Sequence, residues 1–188
     1  MSQRSRSKYG WFCAFSLVVA LGFLPCSGHS EEEHKGAFSS ITVGPSVLTL
    51  QKGSIYFSKF AGHLLGESGY RFNESFGLGF AVSMDLGTVD GGFFVMSDFM
   101  LSPSIYLLED LEIMPSAGLA LLGSERFIDD VFINSGVKLG MAAGLRARYN
   151  FKVGNGFKMG PTARFAFNRA SGANIWAYGL SLTMTFAK

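Results

Sequence analysis

The chain has 188 residues, enough for one domain, and is 48% hydrophobic with a mean hydropathy of +0.26. Its 16 Lys and Arg against 14 Asp and Glu leave a net charge of +2. Past the N-terminus no apolar run approaches the roughly 18 residues of a membrane helix, so a helical membrane bundle is excluded. The near balance of charge gives no support to nucleic-acid binding.

Residues 1–28 read as a cleaved signal peptide. Arg4, Arg6 and Lys8 precede an apolar stretch from Trp11 to Leu24, and Cys26-Ser27-Gly28 supplies small residues for cleavage. Cutting after Gly28 removes three of the 16 basic residues and no acid, which takes the net charge from +2 to −1. Cys13 and Cys26 leave with it, so disulfides do not hold the exported chain. Residues 29–36, with Glu31-Glu32-Glu33, read as a flexible periplasmic lead, and residues 37–188 as the folded domain.

Strands follow one another along that domain. The first is predicted from Phe38 to Leu50, with Ile41, Val43, Pro45 and Val47 on one face and Ser40, Thr42, Gly44 and Ser46 on the other. After a loop at Gln51–Ile55, a second strand lies within Tyr56–Phe72, where Leu64, Ser68, Tyr70 and Phe72 oppose Glu67, Gly69 and Arg71. Asn73-Glu74-Ser75 is a turn. The third strand, Phe76–Asp85, alternates Phe76, Leu78, Phe80, Val82 and Met84 with Gly77, Gly79, Ala81, Ser83 and Asp85. A Gly-rich loop at Gly87–Gly92 leads to a fourth strand within Phe93–Leu108.

Glu109-Asp110 turns the chain into a fifth strand, Leu111–Leu122, with Glu112 opposite the apolar side. The longest loop is predicted at Gly123–Gly136. The sixth strand, Val137–Phe151, has the clearest pattern: Val137, Leu139, Met141, Ala143, Leu145, Ala147, Tyr149 and Phe151 against Lys138, Gly140, Ala142, Gly144, Arg146, Arg148 and Asn150. A turn at Lys152–Gly156 precedes a seventh strand, Phe157–Phe167, with Lys158 and Arg164 on its polar face. After a loop at Asn168–Ala173, the last strand, Asn174–Phe186, sets Trp176, Tyr178, Leu180, Leu182, Met184 and Phe186 against Ala177, Gly179, Ser181, Thr183 and Thr185.

About eight two-faced strands imply an all-β, closed, antiparallel up-and-down transmembrane barrel. The bulky face suits lipid. The other face carries Gly, Ala and Ser with scattered charges, as a narrow eight-stranded lumen requires. A soluble barrel would stud its outer face with Lys and Glu and pack its large residues inside. Aromatics at both strand ends read as interfacial belts. Short turns at Asn73, Glu109 and Lys152, set against longer loops elsewhere, place the termini on the periplasmic side of a diderm outer membrane and the longer loops outside the cell.

The unit Gly69-Tyr70-Arg71-Phe72-Asn73-Glu74-Ser75-Phe76-Gly77-Leu78 resembles the strand-turn-strand unit of small outer-membrane barrels of the OmpW, OmpX and OmpA-barrel type. Pro115-Ser116-Ala117-Gly118-Leu119-Ala120 is similar to a strand start common in that superfamily, with Ala120 where a second Gly stands. The resemblance implies outer-membrane lipid and the barrel-assembly machinery as partners. Those families tend to end on an aromatic; here Ala187-Lys188 follow Phe186.

Chemistry-bearing motifs are scarce. No metal-ligand spacing, nucleophile elbow or phosphate loop is present, so the reading is not an enzyme, with no cofactor and no metal. His63 reads as a surface residue near the first loop, and Glu125, Asp129 and Asp130 as a solvated acidic loop. The candidate site is a lumen charge network of Glu67, Arg71, Asp85, Glu112, Lys138, Arg146, Arg148, Lys158 and Arg164, with Glu67 and Glu112 as counter-charges to the arginines. The network reads either as a salt-bridged plug or as a narrow, gated path for small solutes. Two other functions stand beside these: an adhesin or host-contact protein acting through its loops, and a soluble exported barrel that binds a small apolar ligand.

Overall fold

The computed structural model describes residues 35–89, 92–124 and 136–187. The segments read as signal peptide and most of the lead lie outside them, as do Glu125, Asp129 and Asp130. The rest folds as nine strands: β1 (Gly36–Lys52), β2 (Ile55–Arg71), β3 (Phe76–Val89), β4 (Gly92–Tyr106), β5 (Leu111–Ser124), β6 (Gly136–Tyr149), β7 (Phe151–Gly154), β8 (Phe157–Ala170) and β9 (Ala173–Ala187). Gly36, assigned to the lead from sequence, opens β1.

Each strand pairs antiparallel with its neighbour in sequence from β1 to β6 and from β7 to β9. Two further pairings close the sheet: β1 with β9, and β6 with β8. β7 continues the line of β6 past Asn150, where Asn150 N–H donates to Asp110 O at 2.8 Å, so the barrel has eight walls. Closure leaves no edge, which is the condition for a sheet to sit in lipid.

Side chains sort by parity. On β6, Val137, Leu139, Met141 and Leu145 are exposed on the outside, while Arg146 is 2% and Arg148 1% exposed within the lumen. Phe165, Leu180 and Leu182 are outward and exposed, whereas Arg164, Thr162, Thr183 and Ser181 are buried inside. The exposed bulky residues therefore face outward, to lipid, and the buried charges face the lumen. A soluble barrel with an apolar interior is the inverse of this arrangement and is ruled out. Among the described residues no helix is long and apolar enough to cross a membrane, and the strands do the crossing.

Small inward residues make room for long ones. A Cβ at Gly69 would lie 2.7 Å from the Phe38 ring, closer than real side chains approach, so the absence of a side chain there lets Phe38 fill the lumen. Outside, rings cluster at the end that carries the termini. Tyr70 and Phe72 lie 5.4 Å apart, Tyr149 and Phe151 5.0 Å, and Phe157 and Phe186 5.2 Å. Phe167 and Trp176, 5.7 Å apart, mark the far end.

At three of the four connections expected to be longer, the contrast in connection length does not hold. Residues read as loops continue the strands: Lys52 pairs with Ile55, Val89 with Gly92, and Ala170 with Ala173. Hairpin pairing runs on until the left-handed backbone at Gly53 (φ 58°) and at Gly172 (φ 75°) reverses the chain tightly. The expected longest loop, Gly123–Gly136, falls for residues 125–135 outside the described residues. Strands of 14 to 17 residues, at ~3.3 Å per residue and a tilt near 45°, rise about 33–40 Å, which exceeds a hydrocarbon core of about 30 Å.

Candidate functional site in the barrel lumen

Among the described residues, eight charged or titratable side chains are buried in the lumen: His63, Glu67, Asp85, Asp98, Glu112, Arg146, Arg148 and Arg164. They form two clusters. In the first, Arg146 from β6 reaches across to Glu67 on β2 as a bidentate pair, Nη2 to Oε1 at 2.7 Å and Nη1 to Oε2 at 3.3 Å. Arg148 Nη2 donates to Glu67 Oε2 at 2.8 Å, and its Nη1 lies 3.4 Å from Glu112 Oε2. Ser102 accepts from Arg146 at 2.6 Å, and Ser40 donates to Glu67 at 3.3 Å. Two guanidiniums thus meet two carboxylates, with hydroxyls on some of the remaining directions, while Glu112 Oε1, Arg146 Nε and Arg148 Nε have no hydrogen-bond partner.

The second cluster lies further from the termini. Arg164 on β8 grips Asp85 on β3 with Nη1–Oδ1 at 2.9 Å and Nη2–Oδ2 at 2.8 Å. The same Nη2 is 3.7 Å from Asp98 Oδ2. Ser46 donates to Asp85 at 2.8 Å and Ser83 to Asp98 at 3.0 Å. His63 Nδ1 stands 2.8 Å from Arg164 Nη1 and 3.2 Å from Asp85 Oδ1. A guanidinium only donates, so Nδ1 accepts from Arg164 and the ring proton sits on Nε2. Between the clusters Thr183 bridges Thr42 at 2.7 Å and Thr162 at 2.6 Å.

Of the nine residues singled out from sequence, the structure brings six into these clusters: Glu67, Asp85, Glu112, Arg146, Arg148 and Arg164. Three lie apart. Arg71 stacks 3.9 Å over the Tyr106 ring and donates to the carbonyls of Asn73 (3.1 Å) and Glu74 (2.7 Å), which fixes the β2–β3 turn. Lys158 pairs with Asp110 at 3.5 Å on the half-exposed rim. Lys138 joins neither cluster. Sequence reasoning placed His63 on the surface, and it is a 3% exposed lumen residue instead. Asp98 was also missed. Both share inward parity with residues already assigned there, His63 with Glu67 and Asp98 with Ser102, and that parity was the available signal.

Above the second cluster the lumen changes character. Leu48, Leu50, Phe57, Phe94, Met96, Leu122 and Ile175 line a depression at the far mouth, with space for about one water, 10 Å³, inside it. Ion pairs thus span the middle of the lumen, and apolar side chains line it above.

No family profile matches the sequence, and no curated protein sequence does. Solved structures do match. The attachment invasion locus protein Ail of Yersinia pestis, determined in complex with the heparin analogue sucrose octasulfate, superposes at a TM-score of 0.62 with 14% identity, over 80% of this chain and 99% of its own. Neisserial surface protein A gives 0.56 at 12% identity, covering 81% and 99%. This is the fold of the small outer-membrane β-barrels. The outer-membrane protein AlkL, solved in lipid bilayers, gives 0.50 at 13% identity, covering 88% of this barrel and 96% of its own chain. Identities this low carry the architecture and leave the lumen and mouth of this barrel to be read from its own residues.

Proposed function

We propose that this protein is an integral outer-membrane barrel that acts as a closed scaffold and not as an open pore, with its termini in the periplasm and residues 125–135 at the cell surface. One observation carries the reading: Arg146 and Arg148 bridge from β6 to Glu67 on β2 through contacts of 2.7 and 2.8 Å, which spans the lumen with buried ion pairs. Such pairs resist opening, because separating them leaves charges out of water. Of the two sequence readings of the network, the plug is the one this geometry favours.

The scaffold has no catalytic role in this reading. Ser46 donates to Asp85, and His63 turns its Nδ1 to Arg164, so both side chains are engaged in the ionic cluster.

Planar-bilayer recording on refolded barrel tests the proposal, with heat-modifiable gel migration as the measure of folding. Folded protein without steady current is expected. Steady single-channel current from folded wild type would overturn it. Surface proteolysis of intact cells tests the orientation: cleavage within residues 125–135 is expected, and cleavage only after the outer membrane is opened would reverse it.

A second reading, surface contact through the far end, rests on the length of that same connection, since tight turns serve β1–β2 and β8–β9. Exchanging residues 125–135 onto another barrel should carry any such binding with it.

A further inference from the structure

The two ionic clusters differ in balance. Glu67 and Glu112 face Arg146 and Arg148, whereas Asp85 and Asp98 share one guanidinium, Arg164, with the His63 ring beside it. Arg164 commits both nitrogens to Asp85 at 2.8 and 2.9 Å and leaves Asp98 at 3.7 Å. Asp98 is fully buried, and its Oδ1 has no hydrogen-bond partner. Asn168, also fully buried, donates through Nδ2 to Asp98 Oδ2 at 3.4 Å and to Met96 Sδ at 3.0 Å, and its Oδ1 has no partner either. A flipped amide would turn its oxygen toward the carboxylate, so this orientation is the electrostatically sound one.

These two acceptors lie directly beneath the apolar mouth. Met96 lines that depression and precedes Asp98 by two residues on the same face of β4. Asn168 pairs in register with Ile175, another lining residue. The depression itself is wholly apolar and neither oxygen lines it; Met96, which lines it and whose Sδ accepts from Asn168 Nδ2 at 3.0 Å, joins it to the two acceptors.

We propose that the far mouth binds a small primary amine with a short apolar body, its ammonium on Asp98 and Asn168 Oδ1 and its alkyl part among Leu50, Leu122 and Ile175. An ammonium supplies donors only, and the two unpartnered oxygens are acceptors. Asp98 has already lost its water on folding, so only the ligand's head is newly desolvated, and the apolar walls strengthen the attraction. The enclosed space holds about one water, so Met96 must swing aside. Its three rotatable bonds make it the side chain suited to that movement. The proposal is independent of whether the barrel conducts.

Methyl-labelled methionine NMR on the full barrel in lipid nanodiscs tests it, with butylamine, butanol and butyrate as probes. Butylamine should shift the Met96 methyl saturably, at least tenfold more tightly than butanol, with butyrate inactive and the deeper Met100 and Met114 unmoved. Asp98→Asn should erase the tenfold preference and leave the butanol response in place. Ile175→Trp, which fills the mouth and spares Asp98 and Asn168, should abolish both responses and serves if Asp98→Asn does not fold. Equal binding of all three probes, equal shifts at all three methionines, or a butylamine response that survives Ile175→Trp would overturn the proposal.

Discussion

The lower and upper ionic clusters use the same residue types for different ends. The lower one is a clamp matched in charge, with two arginines against two glutamates and hydroxyls from Ser40 and Ser102 among their partners. The upper one holds two aspartates to one arginine, with His63 presenting a lone pair to that arginine. Arginine does not give up its charge in a protein, so only a proton taken up by His63 or an aspartate, or a bound cation, relieves the imbalance. Balance makes the first a brace across the barrel. Imbalance makes the second a place where a cation or a proton has something to answer.

The sharpest way to break this comparison is Glu67→Gln. It leaves Arg146 and Arg148 with Glu112 alone and should cost about 3–5 kcal/mol in urea unfolding of the heat-modifiable form. A loss under 1 kcal/mol would mean that the clamp is not a brace. Leu145→Arg sets a scale outside the lumen: on the exposed lipid face it should cost about 2–4 kcal/mol if that position lies near the bilayer midplane. A near-zero cost would move Leu145 out of the lipid-facing belt. Asp85→Asn should cost about 1–3 kcal/mol, less than Glu67→Gln, because Arg164 keeps Asp98 at 3.7 Å to turn to. A larger loss for Asp85→Asn than for Glu67→Gln would invert the ranking of the clusters.

Asp98→Asn should have the smallest effect, within about 1 kcal/mol of wild type, because it removes the unmatched charge and keeps a polar group beside Ser83 and Asn168. A loss above about 2 kcal/mol would show that Asp98 is an equal partner of Arg164.

Much of the fold was legible because lipid and lumen impose opposite demands on alternate residues. Val137 to Phe151 shows both demands in one stretch, and parity alone sends Leu145 out and Arg146 in. The lumen charges were legible for the same reason. The misses have specific causes. Gln51, Gly87 and Asn168 look like loop residues, yet hairpin pairing continues through all three and carries the strands above the apolar belt. His63 was read as a lone polar residue near a loop, when its even spacing from Glu67 placed it inside.

The sequence by itself determined which face of each strand meets lipid, since a period of two needs no knowledge of neighbours. Only the tertiary structure decided which charge meets which. Arg146 and Glu67 are 79 positions apart on non-adjacent strands, and their 2.7 Å contact depends on the stagger set when β1 closed on β9 and β6 on β8. That same closure gathered Leu50, Met96 and Ile175 into one apolar mouth above an unmatched aspartate, because residues scattered along the chain become neighbours only once the ring is complete.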